Sequence, residues 1–155
     1  MQAPIKQLFK RAYGDYGIGA FNVFNAEQIL AVFRGGEKCK FPIIVQLTPA
    51  AQDYLKQDIL IDCISSASKL FPRVEYCIHL DHGTPERCEN AIRSEVFNSV
   101  MIDASHEVFK ENVRITREIV KMAHAKGIAV EAELGVLCGT EDGMVPAGTA
   151  PSRRG

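Results

Sequence analysis

Hydrophobic and polar positions change their period along this chain. Five segments read as extended, at roughly residues 18–24, 42–48, 74–81, 98–103 and 128–133. Between them apolar residues recur at helical spacing, with cap and turn residues at the boundaries. Asn25 with Gln28 opens one helix, and Thr84 followed by Pro85 opens another. Ser105 with Glu107 predicts a further start, with an apolar stripe of Phe109, Val113, Val120 and Ala123 and a stop at Lys126-Gly127. The Gly35-Gly36 pair fits a helix interior poorly, each glycine costing about 1 kcal/mol against alanine. The helix after the first segment is therefore expected to end there.

Alternating extended and helical segments are the rhythm of βαβ units with right-handed crossovers. Strand count alone leaves open a doubly wound sheet and the first part of a (β/α) barrel. Period-2 alternation shows what each strand presents on each face. Val74, Tyr76, Ile78 and Leu80 share one face of the third segment, while Cys77, His79 and Asp81 share the other and His82 turns off the end. Met101 and Asp103 oppose Val100 and Ile102, and Glu131 and Glu133 oppose Ile128, Val130 and Ala132. The first two segments end with Ala20 and Asn22, and with Gln46 and Thr48, on one face. Every segment thus finishes with polar or ionisable groups on one face.

Carboxylates inside a parallel sheet are costly unless paired or bound to a cation. Four acids and two histidines converge here (Asp81, Asp103, Glu131 and Glu133; His79 and His82). A metal site explains the convergence, since imidazole and carboxylates without thiolates suit zinc or a similar divalent ion. The C-terminal mouth of a β/α barrel is where such sites are built, so the pattern favours a TIM-type barrel over an open sheet. Taken singly, the residues have plainer readings. A strand-end aspartate such as Asp103 commonly caps a helix or anchors a loop. Asp81 beside His82 is the stronger pair, because an acid and an imidazole can serve proton transfer and metal ligation. His106 and His124 sit near helix ends, where a histidine can simply favour the dipole. Lys121, Lys126, Arg114 and Arg117 read as a solvated face, and Glu131 can be structural beside a ligating Glu133.

Composition narrows the field further. At 155 residues and 46% hydrophobic, the chain can bury a core of ordinary domain size. A net charge of -1, with both signs interleaved, gives no electrostatic case for nucleic acid or an anionic membrane. No apolar run approaches the ~20 residues of a spanning helix, and the amphipathic start has no signal-peptide core. A cytoplasmic setting is expected. The five cysteines (Cys39, Cys63, Cys77, Cys88 and Cys138) have no C-x-x-C spacing, so reduced and mostly buried thiols are expected. From Gly135 onward the chain turns rich in Gly, Pro and small residues, which predicts loop, with a loop or disordered tail over 146–155.

The stretch His79-Leu80-Asp81-His82-Gly83 resembles the H-x-D-H-[GC] signature of class II aldolases. GAFNVFNAEQ (Gly19 to Gln28), SVMIDASH (Ser99 to His106) and VEAELGVLCGTEDG (Val130 to Gly143) resemble further blocks of that family, in the same order. The likeness runs from about residue 3 to about residue 145, which implies a partial barrel domain over 1–145 containing the first five strands and their helices.

By this resemblance Asp81 is the proton-transfer group at the aldol hydroxyl and His82 is a ligand of catalytic Zn2+. Asp103 and Glu133 hold a second cation position, divalent or monovalent, or an alternative place for the catalytic ion. Glu141 matches a glutamate that exchanges a proton with the substrate carbon, while the position before it, often acidic in the family, is Thr140 here. Asn22 and Thr48 lie near the substrate, Thr48 standing where a serine is common. The implied reaction is reversible cleavage of fructose 1,6-bisphosphate or tagatose 1,6-bisphosphate to dihydroxyacetone phosphate and glyceraldehyde 3-phosphate. Family members are roughly twice this length, and two further zinc histidines and glycine-rich phosphate loops belong to strands six to eight. A fragmentary product, inactive as a free monomer, is therefore the expectation. The competing expectation is a non-catalytic half-barrel that binds metal or a phosphorylated ligand, or is completed by another chain. Open edges predict self-association as a homodimer.

Overall fold

The computed structural model describes residues 1–135. Helix α1 (Ile5–Ala12) precedes strand β1 (Gly19–Asn22), helix α2 (Ala26–Cys39) and strand β2 (Ile43–Leu47). Two helices, α3 (Pro49–Leu55) and α4 (Gln57–Leu70), lead to β3 (Tyr76–Gly83). Helix α5 (Pro85–Ser94), strand β4 (Ser99–Ile102), helix α6 (Phe109–Ala125) and strand β5 (Ala129–Ala132) complete the order. The strands form one parallel sheet in the order β1-β2-β3-β4-β5. A doubly wound sheet reverses its strand order at a switch point. The described strands have no reversal, which is the topology of a partial (β/α) barrel.

One face of the sheet is dry. Phe33, Val45, Leu47, Leu60, Ile64, Ile78, Leu80, Val100, Ile102 and Ile119 are packed in one core between the strands and helices α2 to α6. The opposite face carries a smaller apolar cluster, where Ala3, Ile5 and Leu8 meet Ile44 and Cys77. Helix α1 buries Ile5, Leu8 and Ala12, the spacing of one helical face. The backbone bonds Ala3 N–H to Tyr76 O and Tyr76 N–H to Met1 O tie this segment to the start of β3. The apolar plug therefore sits at the N-terminal end of the strands, and the polar strand ends lie at the other.

Three expectations change. Helix α2 runs through Gly35-Gly36 to Cys39. At Gly36 an added Cβ would stand 3.0 Å from Ile43 Cγ2 and 3.1 Å from Val74 Cγ1. Close approach of the helix to β2 and the start of β3 is what this glycine permits. Ser105 does not open a helix: α6 begins at Phe109, and the Ser105 N–H instead meets Asp103 Oδ1 at 3.0 Å. The buried face of α6 is Asn112, Ile119 and Ala123, with Ile115 and Met122 beside it, whereas Phe109 and Val113 are exposed. Of the described cysteines, Cys77 and Cys88 are buried, Cys63 is half-buried and Cys39 is exposed. Burial pushes the Cys77 and Cys88 thiols up to about 12. The caps at Asn25 and Thr84 form as expected, each side-chain oxygen accepting from the backbone N–H three residues on.

Candidate active site

The site begins with an irregularity in β3. Leu80 pairs with Val100 and Gly83 with Ile102, so β3 advances three residues where β4 advances two. That extra residue is a β-bulge, which bends a strand and re-aims side chains. His82 takes it up with φ +50, a left-handed conformation that non-glycine residues rarely adopt. Strict alternation would send Asp81 and His82 to opposite faces. With the bulge, Asp81 Oδ1 lies 4.0 Å from His79 Nε2, and His82 Nδ1 lies 2.9 Å from Asp103 Oδ2. Both consecutive residues thus address the polar side. Gly83 completes the turn into α5, because a Cβ there would meet Leu80 Cδ2 at 2.6 Å and Cys88 Sγ at 2.9 Å.

Three of the expected residues come together. His82, Asp103 and Glu133 offer ligand atoms that all lie within 4.8 Å of one another. The His82 Nδ1 to Glu133 Oε2 separation is 3.9 Å. Burial raises the Asp103 carboxyl, but hydrogen bonds from His82 and from the side chain and backbone of Ser105 outweigh it and hold the group below the usual carboxylate range. An imidazole and two carboxylates, partly shielded from water and converging on one point, fit a hard or borderline divalent cation such as zinc. Three protein ligands also leave coordination positions for substrate or water.

The other expected residues occupy varied settings. Asp81 is buried next to this group. Asn22 ends β1, is exposed, and pairs in register with Gln46, which pairs in turn with His79. Thr48 is buried just past β2, where its Oγ1 accepts from Ala51 N–H at 3.1 Å and caps α3. Glu141 lies outside the described residues, as do Thr140, Cys138 and the 146–155 tail. Glu131 has a largely exposed side chain whose Oε2 is 3.6 Å from His79 Nε2.

Two further residues, neither of them given a catalytic, substrate or metal role by sequence, belong to the site. His79 is 2% exposed, and neither ring nitrogen has a hydrogen-bond partner among the described residues. Burial, and secondarily the nearby His82, push its imidazole down to about 4, so it is neutral near pH 7. Its membership of the polar face was the available signal. Asn112, on α6, donates from Nδ2 to the Glu133 carbonyl at 2.8 Å. Its i,i+4 relation to Thr116 on the buried side of an amphipathic helix was the signal there.

Known proteins resemble this chain in sequence and in fold. The family model described as fructose-bisphosphate aldolase class-II matches residues 3–153. A fructose-bisphosphate aldolase of Helicobacter pylori is 42% identical over 138 residues, covering 88% of this chain and 45% of the relative. One from Giardia intestinalis is 48% identical over 128 residues, covering 82% of this chain and 39% of the relative. The crystal structure of the YdjI aldolase from Escherichia coli K12 aligns with a TM-score of 0.79 at 35% identity, over 87% of this chain and 53% of that one. The chain spans about half the length of the curated relatives it matches. By the family match over nearly its whole length, together with this strand order, the chain belongs to the class II fructose-bisphosphate aldolase family.

Proposed function

We propose that this chain supplies the first part of the catalytic face of a zinc-dependent class II aldolase. Its substrate would be fructose 1,6-bisphosphate or tagatose 1,6-bisphosphate, cleaved reversibly to dihydroxyacetone phosphate and glyceraldehyde 3-phosphate. The observation that carries the reading is the convergence of His82, Asp103 and Glu133 beside Asp81, in a chain matching the family over residues 3–153.

His82, Asp103 and Glu133 would hold the cation. When bound, a divalent ion polarises the substrate carbonyl and stabilises the negative charge left by carbon-carbon cleavage. Asp81 removes the proton from the hydroxyl of the carbon that becomes the aldehyde, and returns it in the condensation direction. The electron pair of the broken bond stays on the carbon next to the carbonyl, and Glu141 delivers the proton that this carbon then takes. Burial of Asp81 keeps bulk water from competing for its proton. Asn22, at the end of β1, and Thr48, just past β2, are assigned to substrate contact by the family resemblance. A homodimer belongs to the same reading, supported by the unpaired edges of β1 and β5 among the described strands, and so does a cytoplasmic setting.

The test is cleavage of fructose 1,6-bisphosphate by the purified chain, with zinc, with a chelator, and with Asp81→Ala. Turnover lost in both controls supports the reading, and turnover that survives Asp81→Ala contradicts it. A second reading rests on the same cluster of His82, Asp103 and Glu133. In it the chain is a half-barrel that binds metal or a phosphorylated ligand, or is completed by another chain. It predicts ligand-induced stabilisation without turnover.

A further inference from the structure

Asn112 is buried in the first turn of α6, on the face that packs against the sheet. Both ends of its amide are engaged. Nδ2 donates to the main-chain carbonyl of Glu133 at 2.8 Å, and Oδ1 accepts from Thr116 Oγ1 at 3.1 Å. The two bonds define one orientation, since the carbonyl of Glu133 requires a donor and only Nδ2 supplies one. A leucine would fill this buried position without desolvating an amide. Asparagine is therefore suited to the bond it makes to β5 more than to the packing.

The location of that bond matters. Pairing of β5 with β4 ends at Ala132, opposite Ile102. Glu133 is the next residue, beyond the ladder, and its carboxylate lies 3.9 Å from His82 Nδ1. The Asn112 amide grips the main chain at the residue whose side chain joins the cation cluster. Asp103, by contrast, has its own main-chain anchor, its N–H bonding to Gly83 O at 3.0 Å.

We propose that Asn112, oriented by Thr116, is a positioning residue that holds the Glu133 main chain so that its carboxylate stays within reach of His82 and Asp103. The proposal rests on the reading of this cluster as a divalent-cation site. Partners that orient metal ligands from outside the coordination sphere typically change affinity by about 10- to 100-fold when removed. Asn112→Asp nearly preserves shape but loses the donor and sets an oxygen against a carbonyl. Asn112→Leu keeps the bulk and removes the amide. Thr116→Val removes the hydroxyl that orients it, and Thr116→Ser restores a hydroxyl.

The experiment measures zinc affinity of the purified chain by chelator competition, with urea unfolding of the metal-free proteins and the visible spectrum of the cobalt forms alongside. The expected result is an affinity about 10- to 100-fold lower in Asn112→Asp and Asn112→Leu. Thr116→Val should show a smaller loss, and Thr116→Ser near wild-type affinity. The cobalt spectra of the weakened variants should change shape, which a loss of stability alone would not produce. Wild-type affinity and spectrum in a folded Asn112→Leu chain would overturn the proposal. If neither Asn112 variant folds, wild-type affinity in Thr116→Val overturns it instead. His82→Ala separates the two levels: binding lost there but intact in the Asn112 variants sinks this proposal alone. Binding intact in His82→Ala overturns the cation-site reading and this proposal with it.

Discussion

His82 Nδ1 and Asp103 Oδ2 are 2.9 Å apart, although the histidine is in β3 and the aspartate lies just past the end of β4. The contact forms where β3 bulges and His82 takes a φ of +50. A left-handed residue other than glycine costs roughly 1–2 kcal/mol, so the contact is formed against a local backbone preference. Strain of this kind persists where surrounding structure enforces it, and it clusters at functional sites.

Replacing His82 by glycine relieves the backbone while deleting the imidazole. Metal-free stability is expected to stay within about 1 kcal/mol of wild type, because the relieved strain offsets the lost contacts. Urea unfolding measures this. A loss above about 3 kcal/mol would identify the histidine as a structural element instead.

The adjacent glycines of α2 should respond in opposite directions. An added Cβ at Gly35 meets nothing within 4 Å, so Gly35→Ala should stabilise the chain by about 0.5–1 kcal/mol. Gly36→Ala must push against Ile43 and Val74 and should destabilise it by about 1–3 kcal/mol. Thermal unfolding of the two variants decides the matter, and equal shifts would contradict the account.

These glycines also mark how far the sequence could be read. The polar ends of the strands were legible because period-2 alternation survives tertiary packing, whereas the metal roles of His82, Asp103 and Glu133 were expectations drawn from the family resemblance. The Gly35-Gly36 pair misled because helix propensity is local, whereas the approach of Ile43 and Val74 is not. The α6 stripe misled for a related reason. Phe109 and Val113 are apolar yet exposed, and Asn112 is polar yet buried, its amide satisfied by Glu133 and Thr116. The bulge has no signature in the alternation itself, so the convergence of Asp81 and His82 on one side required the register of β3 on β4.

Acid should weaken the fold through His79. Its folded imidazole titrates at about 4 against an ordinary 6.5, so the unfolded chain binds the extra proton between those values. Stability from this group is therefore complete above about pH 6.5 and falls as pH drops towards 4, by at most about 3 kcal/mol. Urea midpoints from pH 4.5 to 7 should rise more steeply for wild type than for His79→Leu. Parallel slopes would show that His79 does not titrate as described.

Thr48 should be sensitive to loss of its hydroxyl even without substrate. Thr48→Ala removes the acceptor for Ala51 N–H and should destabilise the chain by about 1 kcal/mol. Thr48→Ser keeps the cap and should lose less, by differential scanning calorimetry. If serine is as damaging as alanine, methyl packing rather than capping explains the buried threonine.

The proposed cation site joins the polar ends of β3, β4 and β5. Calorimetric titration of the metal-free chain with Zn2+ tests it most directly, beside Asp103→Asn and Glu133→Gln. One ion per chain is expected in wild type, with clearly weaker binding in each variant. Absence of zinc binding by the folded wild-type chain, or binding unchanged in both variants, would contradict it.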